Sequence, residues 1–280
     1  MDILKKRKLI NIFAFFLCFL TALWGLFWLS FIIFDVIRHG ITAINWDVFL
    51  KDPAPPGIPG GGLRNAIVGH LLITFFAGLI AIPIGILGGT YLAEYGRTTK
   101  IAKFISVLSD IMISIPAIVV GSFVYAILVK PTGNFSGWAG SIALAIIMIP
   151  IIIRTTENML HLVPWTLREA AFALGAPYYK VIIQIVYKYV ATGIITGVLL
   201  ALARVSGEAA PLLFTSFNNF YFSLDMSKPM ASLTVTIFHY AMSPFEDWHR
   251  LAWGASFIIT VFVLIITLTS RLLIKKGGKF

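Results

Sequence analysis

The sequence predicts an all-α, polytopic membrane helix bundle with about six transmembrane helices. Three observations predict it: a composition too apolar for water, six apolar runs long enough to cross a bilayer, and basic residues sorted to one side of those runs. Of 280 residues, 59% are hydrophobic and only 12% are charged, about half of what a water-facing surface carries. A formal charge of +10 would point to nucleic acid in a soluble protein, so the placement of the charges decides. The single cysteine, Cys18, excludes an internal disulfide and a cysteine-based zinc site.

A span needs about 20 mostly apolar residues. The first candidate covers residues 9–34 and follows Lys5, Lys6, Arg7 and Lys8. Its apolar stretch far exceeds the roughly 7–15 residues of a signal-peptide core, so it reads as a retained anchor. The others cover residues 66–93, 104–129, 138–153, 186–203 and 251–274. With the N-terminus cytoplasmic, the inside segments hold the four residues of that basic cluster, then Arg97, Lys100, Lys103, Arg154, Arg168, Lys180, Lys188, Arg271, Lys275, Lys276 and Lys279. These fifteen face only six outside, Arg38, Lys51, Arg64, Lys130, Lys228 and Arg250. Such a bias orients short loops, so both termini are expected inside. The +10 is therefore topological, and no nucleic-acid partner is expected.

Residues 53–62, rich in proline and glycine, deny the chain both helix and ladder. They divide an N-terminal anchor unit, residues 1–62, from the remaining spans, residues 63–280. Pro83, Pro116 and Pro150 fall inside spans, where each removes a backbone donor and kinks the helix. Gly85/Gly89 and Gly193/Gly197 are GxxxG pairs, which let helices approach closely.

The loop between the fourth and fifth spans, about residues 155–185, carries Thr166-Leu-Arg-Glu169-Ala170-Ala171-Phe-Ala-Leu-Gly175-Ala-Pro177. Thr166 and Glu169 have the spacing of a capping box, Gly175 suits a left-handed helix end, and Pro177 stops continuation. A helix of about two turns is expected, its small alanines open to a close protein contact. Glu169, Ala170, Ala171, Gly175 and Ile185 resemble the EAA coupling loop of ABC importer permeases; the Leu-Pro that commonly closes it is replaced by Tyr187-Lys188. The chain has no GxxxxGK[ST] phosphate loop. It carries no cofactor of its own, and the resemblance implies that a partner ATPase binds the ATP.

Arg204 and Glu208 interrupt an apolar stretch. Counted from Lys188, Arg204 lies about 24 Å along the fifth span, toward the outer leaflet. A charge there faces a cavity or a partner, because an arginine at the centre of a span costs about 2.5–3.5 kcal/mol. At i and i+4 the two side chains share a helical face and are expected to pair, either structurally or around a substrate. The wider sequence adds a second resemblance. Arg204-Val-Ser-Gly-Glu-Ala-Ala-Pro-Leu-Leu-Phe-Thr215, the run from Pro229 to Phe238, Ser114-Ile-Pro116-Ala-Ile-Val-Val-Gly121 and Arg154-Thr-Thr-Glu157 are similar to the permeases of phosphate-specific ABC importers. That similarity covers most of residues 60 to 280.

The resemblance implies a type I importer permease in the inner membrane. Its partners would be a homologous second permease subunit, a cytoplasmic ATPase dimer and a periplasmic phosphate-binding protein received by the outside segment from about residue 217 to 249. Inorganic phosphate would be the substrate. A guanidinium fork fits phosphate oxygens, and a balancing carboxylate lets the anion leave. The pathway residues are then Arg204, with Glu208 holding it between passages, and Arg154 at the exit, which also reads as an ordinary positive-inside anchor. Ser206 and Thr215 are candidate hydroxyl donors, and Asp110 belongs either to packing or to the path. A permease for another solute, or a self-contained channel or secondary transporter, are the rival readings. No catalytic constellation and no metal-ligand spacing among the five histidines is present.

Overall fold

The computed structural model describes residues 3–58, 60–96 and 98–277, with backbone alone for residues 274–277. Of the basic residues used for orientation, Arg97 and Lys279 lie outside the described residues, and Lys275 and Lys276 are described by backbone only.

Every regular element described is helical: α1 (Ile3–Ala43), α2 (Trp46–Leu50), α3 (Arg64–Thr90) with a π-helical turn to Tyr95, α4 (Lys100–Ser114), α5 (Ala117–Val124) and, through a second π turn, α6 (Lys130–Thr132). There follow α7 (Gly137–His161), α8 (Trp165–Ala173), α9 (Tyr178–Val181) and, through a third π turn, α10 (Tyr187–Ser206), then α11 (Ala210–Thr215), α12 (Leu233–Ala241) and α13 (Glu246–Gly277). Five helices are long and apolar enough to cross a membrane: Ile3–Ala43, Arg64–Tyr95, Gly137–His161, Tyr178–Ser206 and Glu246–Leu273.

The third expected span is not one kinked helix. The chain bends by 106° between α4 and α5. Ile115 and Pro116 are both extended, with ψ of 131° and 134°, because a proline ring pushes the residue before it out of the α region and removes a donor. The broken pair still traverses the bundle. Ala102 packs with Ile153 toward the C-terminal end of α7, whereas Val129 packs with Ala139 at its N-terminal end. Pro83 and Pro150, in contrast, lie within continuous helices.

Helix α7 is the axis of the bundle, and both GxxxG pairs face it. A β-carbon on Gly85 would lie 2.5 Å from Ile152 Cβ, and one on Gly89 2.5 Å from the Ile153 carbonyl. On the other flank Gly193 meets Met159 and Gly197 meets Thr155. Added methylenes at such positions cost about 1–3 kcal/mol. The central core of Ile73, Ala77, Leu144, Met148, Ile152, Ala201 and Val205 forms where α3, α7 and α10 meet.

At the α2 end, residues 53–58 and 60–62 are irregular, as expected, yet anchored. The Leu63 amide donates to the Val48 carbonyl and Gly62 to Asp52. The long loop after α11 satisfies the first amides of α7, since Gly137 donates to Lys228 and Trp138 to Met226. At the opposite, α8 end lies the short helix that follows α7. Helix α1 touches the bundle through α13, with Gly40 against Phe257 and His39 stacked on Trp253.

Candidate functional site

The EAA-type segment folds into α8, with differences at its start. The helix begins at Trp165 with Pro164 as N-cap and no side-chain cap, so the expected capping box between Thr166 and Glu169 does not form. Pro164 presets an extended entry and takes the position the hydroxyl would need. The C-terminal reading holds. Gly175 has φ +78°, its amide donates to Phe172, and the Ala176 amide donates to Ala171, a Schellman closure. Glu169, Ala170 and Gly175 are exposed, while Ala171 is buried. Leu162, Trp165, Leu174 and Tyr179 add exposed apolar surface around them. Glu169 thus stands exposed among apolar side chains at this end.

Arg168, counted in the sequence only as a positive-inside anchor, is the most buried charge beside that surface. Its side chain is 2% exposed and that of its partner Glu94 is 1% exposed. Arg168 Nη2 donates to Glu94 Oε1 at 2.5 Å and Nε to Oε2 at 3.3 Å. The same guanidinium donates to the Val163 and Leu160 carbonyls, where α7 ends. Tyr178 Oη donates to the Glu94 carbonyl and carboxylate at 2.9 and 3.1 Å. Removing one partner of such a buried pair costs about 3–5 kcal/mol. Sequence reasoning missed Glu94, which stands 74 positions from Arg168 and belongs to no motif.

Deeper in the bundle, Arg154 is fully engaged. Its Nε donates to Asp110 Oδ1 at 2.8 Å, Nη1 to Glu157 Oε2 at 2.7 Å and Nη2 to the Ser106 carbonyl at 2.6 Å. Asp110 therefore ties α4 to α7 in this conformation.

Arg204 is the opposite case. It is exposed, and among the described residues its guanidinium makes no hydrogen bond or ion pair. The expected pair with Glu208 is absent because α10 ends at Ser206, with Gly207 as its C-cap, so the i, i+4 geometry no longer applies. Glu208 is half-buried and its carbonyl accepts from Thr234 Oγ1. Arg204 is also not near one face. Leu202 rests on Gly78, close to the midpoint of Arg64–Tyr95. Gly207 shares a cavity of about 610 Å³ with Ile259 and Thr260, at the midpoint of Glu246–Leu273. Both references put Arg204 near the mid-length of the neighbouring spans, because α10 ends there and α11 carries the chain on to the start of α7, where the Ser136 amide donates to the Thr215 carbonyl. That cavity, lined also by Ile237, Phe238, Ala241 and Val263, is mostly apolar, and its Thr234 and Thr260 hydroxyls donate to the Glu208 and Ser256 carbonyls. The proposed hydroxyl donors are spent as well: Ser206 and Thr215 are fully buried and donate to the Leu202 and Pro211 carbonyls of their own helices.

Five membrane-length helices, a broken pair that also traverses the bundle and a short exposed helix closed by a left-handed glycine make this a multi-pass membrane protein. Residues 63–276 match the family described as binding-protein-dependent transport system inner membrane component, and the chain belongs to that family. Among its relatives, the phosphate transport system permease protein PstA of Pasteurella multocida is 49% identical over 98% of this chain and 97% of that protein. The protein of the same description from Haemophilus influenzae is 48% identical over 95% and 94%. A probable phosphate transport system permease protein PstA of Methanocaldococcus jannaschii is 37% identical over 78% of each. In fold, a chain of the inward-facing MetNI methionine ABC transporter superposes with a TM-score of 0.65 at 18% identity, over 77% of this chain and 95% of that one. The architecture is that of a type I ABC importer permease.

Proposed function

We propose that the chain is a permease subunit of an ATP-driven phosphate importer and forms part of the path for inorganic phosphate across the inner membrane. The observation that carries the proposal is Arg204, an exposed and unpaired guanidinium near mid-depth. A charge at that depth must face a water-filled path or a partner subunit rather than lipid, and its planar fork suits phosphate oxygens. The PstA relatives supply the choice of anion. Glu208 belongs beside the same path, where a carboxylate near the fork keeps the anion from staying bound. Arg154, committed to Asp110 and Glu157, supports the exit of α7 and meets phosphate only if that pairing opens.

Both termini lie in the cytoplasm on this reading, which the positive-inside bias supports. The α8 end then faces a cytoplasmic ATPase dimer that binds the ATP, with Glu169, Ala170 and Gly175 as the exposed docking patch and the buried Ala171 seating α8 on the bundle. The α2 end meets a periplasmic phosphate-binding protein, and a second, homologous permease subunit completes the path. The decisive experiment reconstitutes the chain with these partners in lipid discs and vesicles. Phosphate-loaded binding protein is expected to stimulate ATP hydrolysis and phosphate uptake. Stimulation by another solute but not by phosphate would overturn the substrate, and uptake by the chain alone without ATP would overturn the importer reading altogether.

A further inference from the structure

Helix α3 and its π turn run unbroken for 32 residues, Arg64–Tyr95, about 48 Å, and both ends are fastened. At the α2 end Arg64 holds Asp52 through two hydrogen bonds of 3.1 and 3.0 Å and lies 4.6 Å over the ring of Phe222. The neighbouring Asn65 donates from Nδ2 to the Asn219 carbonyl. The helix start is thereby tied to the loop after α11, which exposes Tyr221 and Leu224. At the α8 end Glu94 is gripped from two sides. Arg168 reaches it from the second turn of α8, and Tyr178 from beyond the turn that closes α8. Tyr178 also stacks on Phe172 of α8 at 5.8 Å and meets Tyr95 of α3 edge-on at 5.2 Å.

We propose that the buried Glu94–Arg168–Tyr178 cluster is the joint through which movement of α8 is transmitted to α3, and that α3 is the strut linking the ATPase-facing and binding-protein-facing ends. This rests on the functional reading above. The exposed patch of α8 touches the partner but cannot itself shift a span. Motion needs a connection that does not slip, and a desolvated fork of charge-assisted hydrogen bonds is directional and stiff. Arg168 adds the C-terminal carbonyls of α7 to the same joint, so α8 cannot rotate without carrying the ends of both α3 and α7. Close glycine contacts along α3 and α7 then pass the displacement into the core, since packed interfaces move between discrete arrangements rather than deforming smoothly. Glu94, Arg168 and Tyr178 are positioning residues: none touches substrate or nucleotide.

The test uses the complete reconstituted complex and the ratio of ATP hydrolysis with phosphate-loaded binding protein to hydrolysis without it. Glu94→Gln keeps the shape and removes the charge; Tyr178→Phe keeps the ring stack and removes two hydrogen bonds. In Tyr178→Phe, and in the double variant Glu94→Gln/Arg168→Gln, which leaves no buried charge unpaired, assembly and basal hydrolysis are expected to stay within about two-fold of the parent while the stimulation ratio falls about five-fold or more; Glu94→Gln alone is expected to lower the ratio and the stability of the complex together. The double variant Glu94→Gln/Arg168→Gln is expected to lose little beyond the larger single effect, because the groups act as one unit. An unchanged ratio in assembled variants overturns the proposal. So does an equal loss of basal and stimulated hydrolysis with lowered complex stability, or failure of both single variants to assemble, since either result assigns the cluster to folding alone. Stimulation of the parent complex by a binding protein loaded with a different solute overturns the phosphate reading and leaves this test intact.

Discussion

Arg154 and Arg204 sit on neighbouring helices, α7 and α10, which touch where Thr155 meets Gly197, yet they have opposite surroundings. Arg154 spends its guanidinium on two carboxylates and a carbonyl; Arg204, about 10 Å further along α10 from that contact, spends its own on nothing in the chain. The difference teaches that charge in a span is not by itself a functional signal. A charge whose donors are consumed is part of the architecture, whereas one left open in an apolar setting requires something from outside the chain.

The sharpest way to break this comparison is Arg204→Gln. Loss of a charge-assisted contact worth about 1.5–3 kcal/mol is expected to lower phosphate uptake about ten- to hundred-fold, with assembly intact, measured in vesicles. Normal uptake would return Arg204 to the architecture. Arg154→Gln should act on stability instead. Because Asp110 is 64% exposed, the effect is about 1–2 kcal/mol, read as a lower thermal midpoint of the complex. Asp110→Asn added to it should restore part of the loss. If uptake falls while the midpoint holds, Arg154 belongs to the path. Glu208→Gln is expected to lower uptake by about three-fold or less, because the carboxylate stands beside the path but forms no i, i+4 pair, itself worth only about 0.2–0.5 kcal/mol, with Arg204. The smallest effect is expected from Ser206→Ala. Its hydroxyl is committed to Leu202, so uptake should stay within about two-fold, given that such a backbone-bonded hydroxyl in a helix contributes little.

The crossings were legible in the sequence because hydropathy reports them directly, and so were the segment around Glu169 and the left-handed Gly175. The break at Ile115–Pro116 was not. Pro83 and Pro150 carry the same local signal but lie in helices that pack along much of their length through close glycine contacts, which hold the backbone helical on both sides. Residues Ile111, Ile113, Ile115, Ile118 and Val119, flanking Pro116, are exposed in this chain, so nothing opposes the turn. Arg204 could be singled out as a misplaced charge, but its depth could not. Counting from Lys188 assumes that α10 crosses the whole bilayer, and only its contacts with Gly78 and with the middle of α13 reveal that it stops halfway. The Glu94–Arg168 pair lay beyond reach for another reason: periodicity relates neighbours within a helix, not residues 74 positions apart.

The early end of α10 has an electrostatic consequence. A helix terminus carries partial charge, about −0.5 at the C-terminal end, where carbonyls outnumber their amides. At an end in bulk water that field is largely screened, whereas within the bundle it is screened less. Arg204 occupies the last turn of this helix, so the dipole steadies the guanidinium while no anion is present, which explains how the cation persists there without a carboxylate. The same field repels an arriving anion. On the proposed reading, a phosphate at Arg204 would be held by the fork and pushed by the helix behind it, a balance that favours passage over storage.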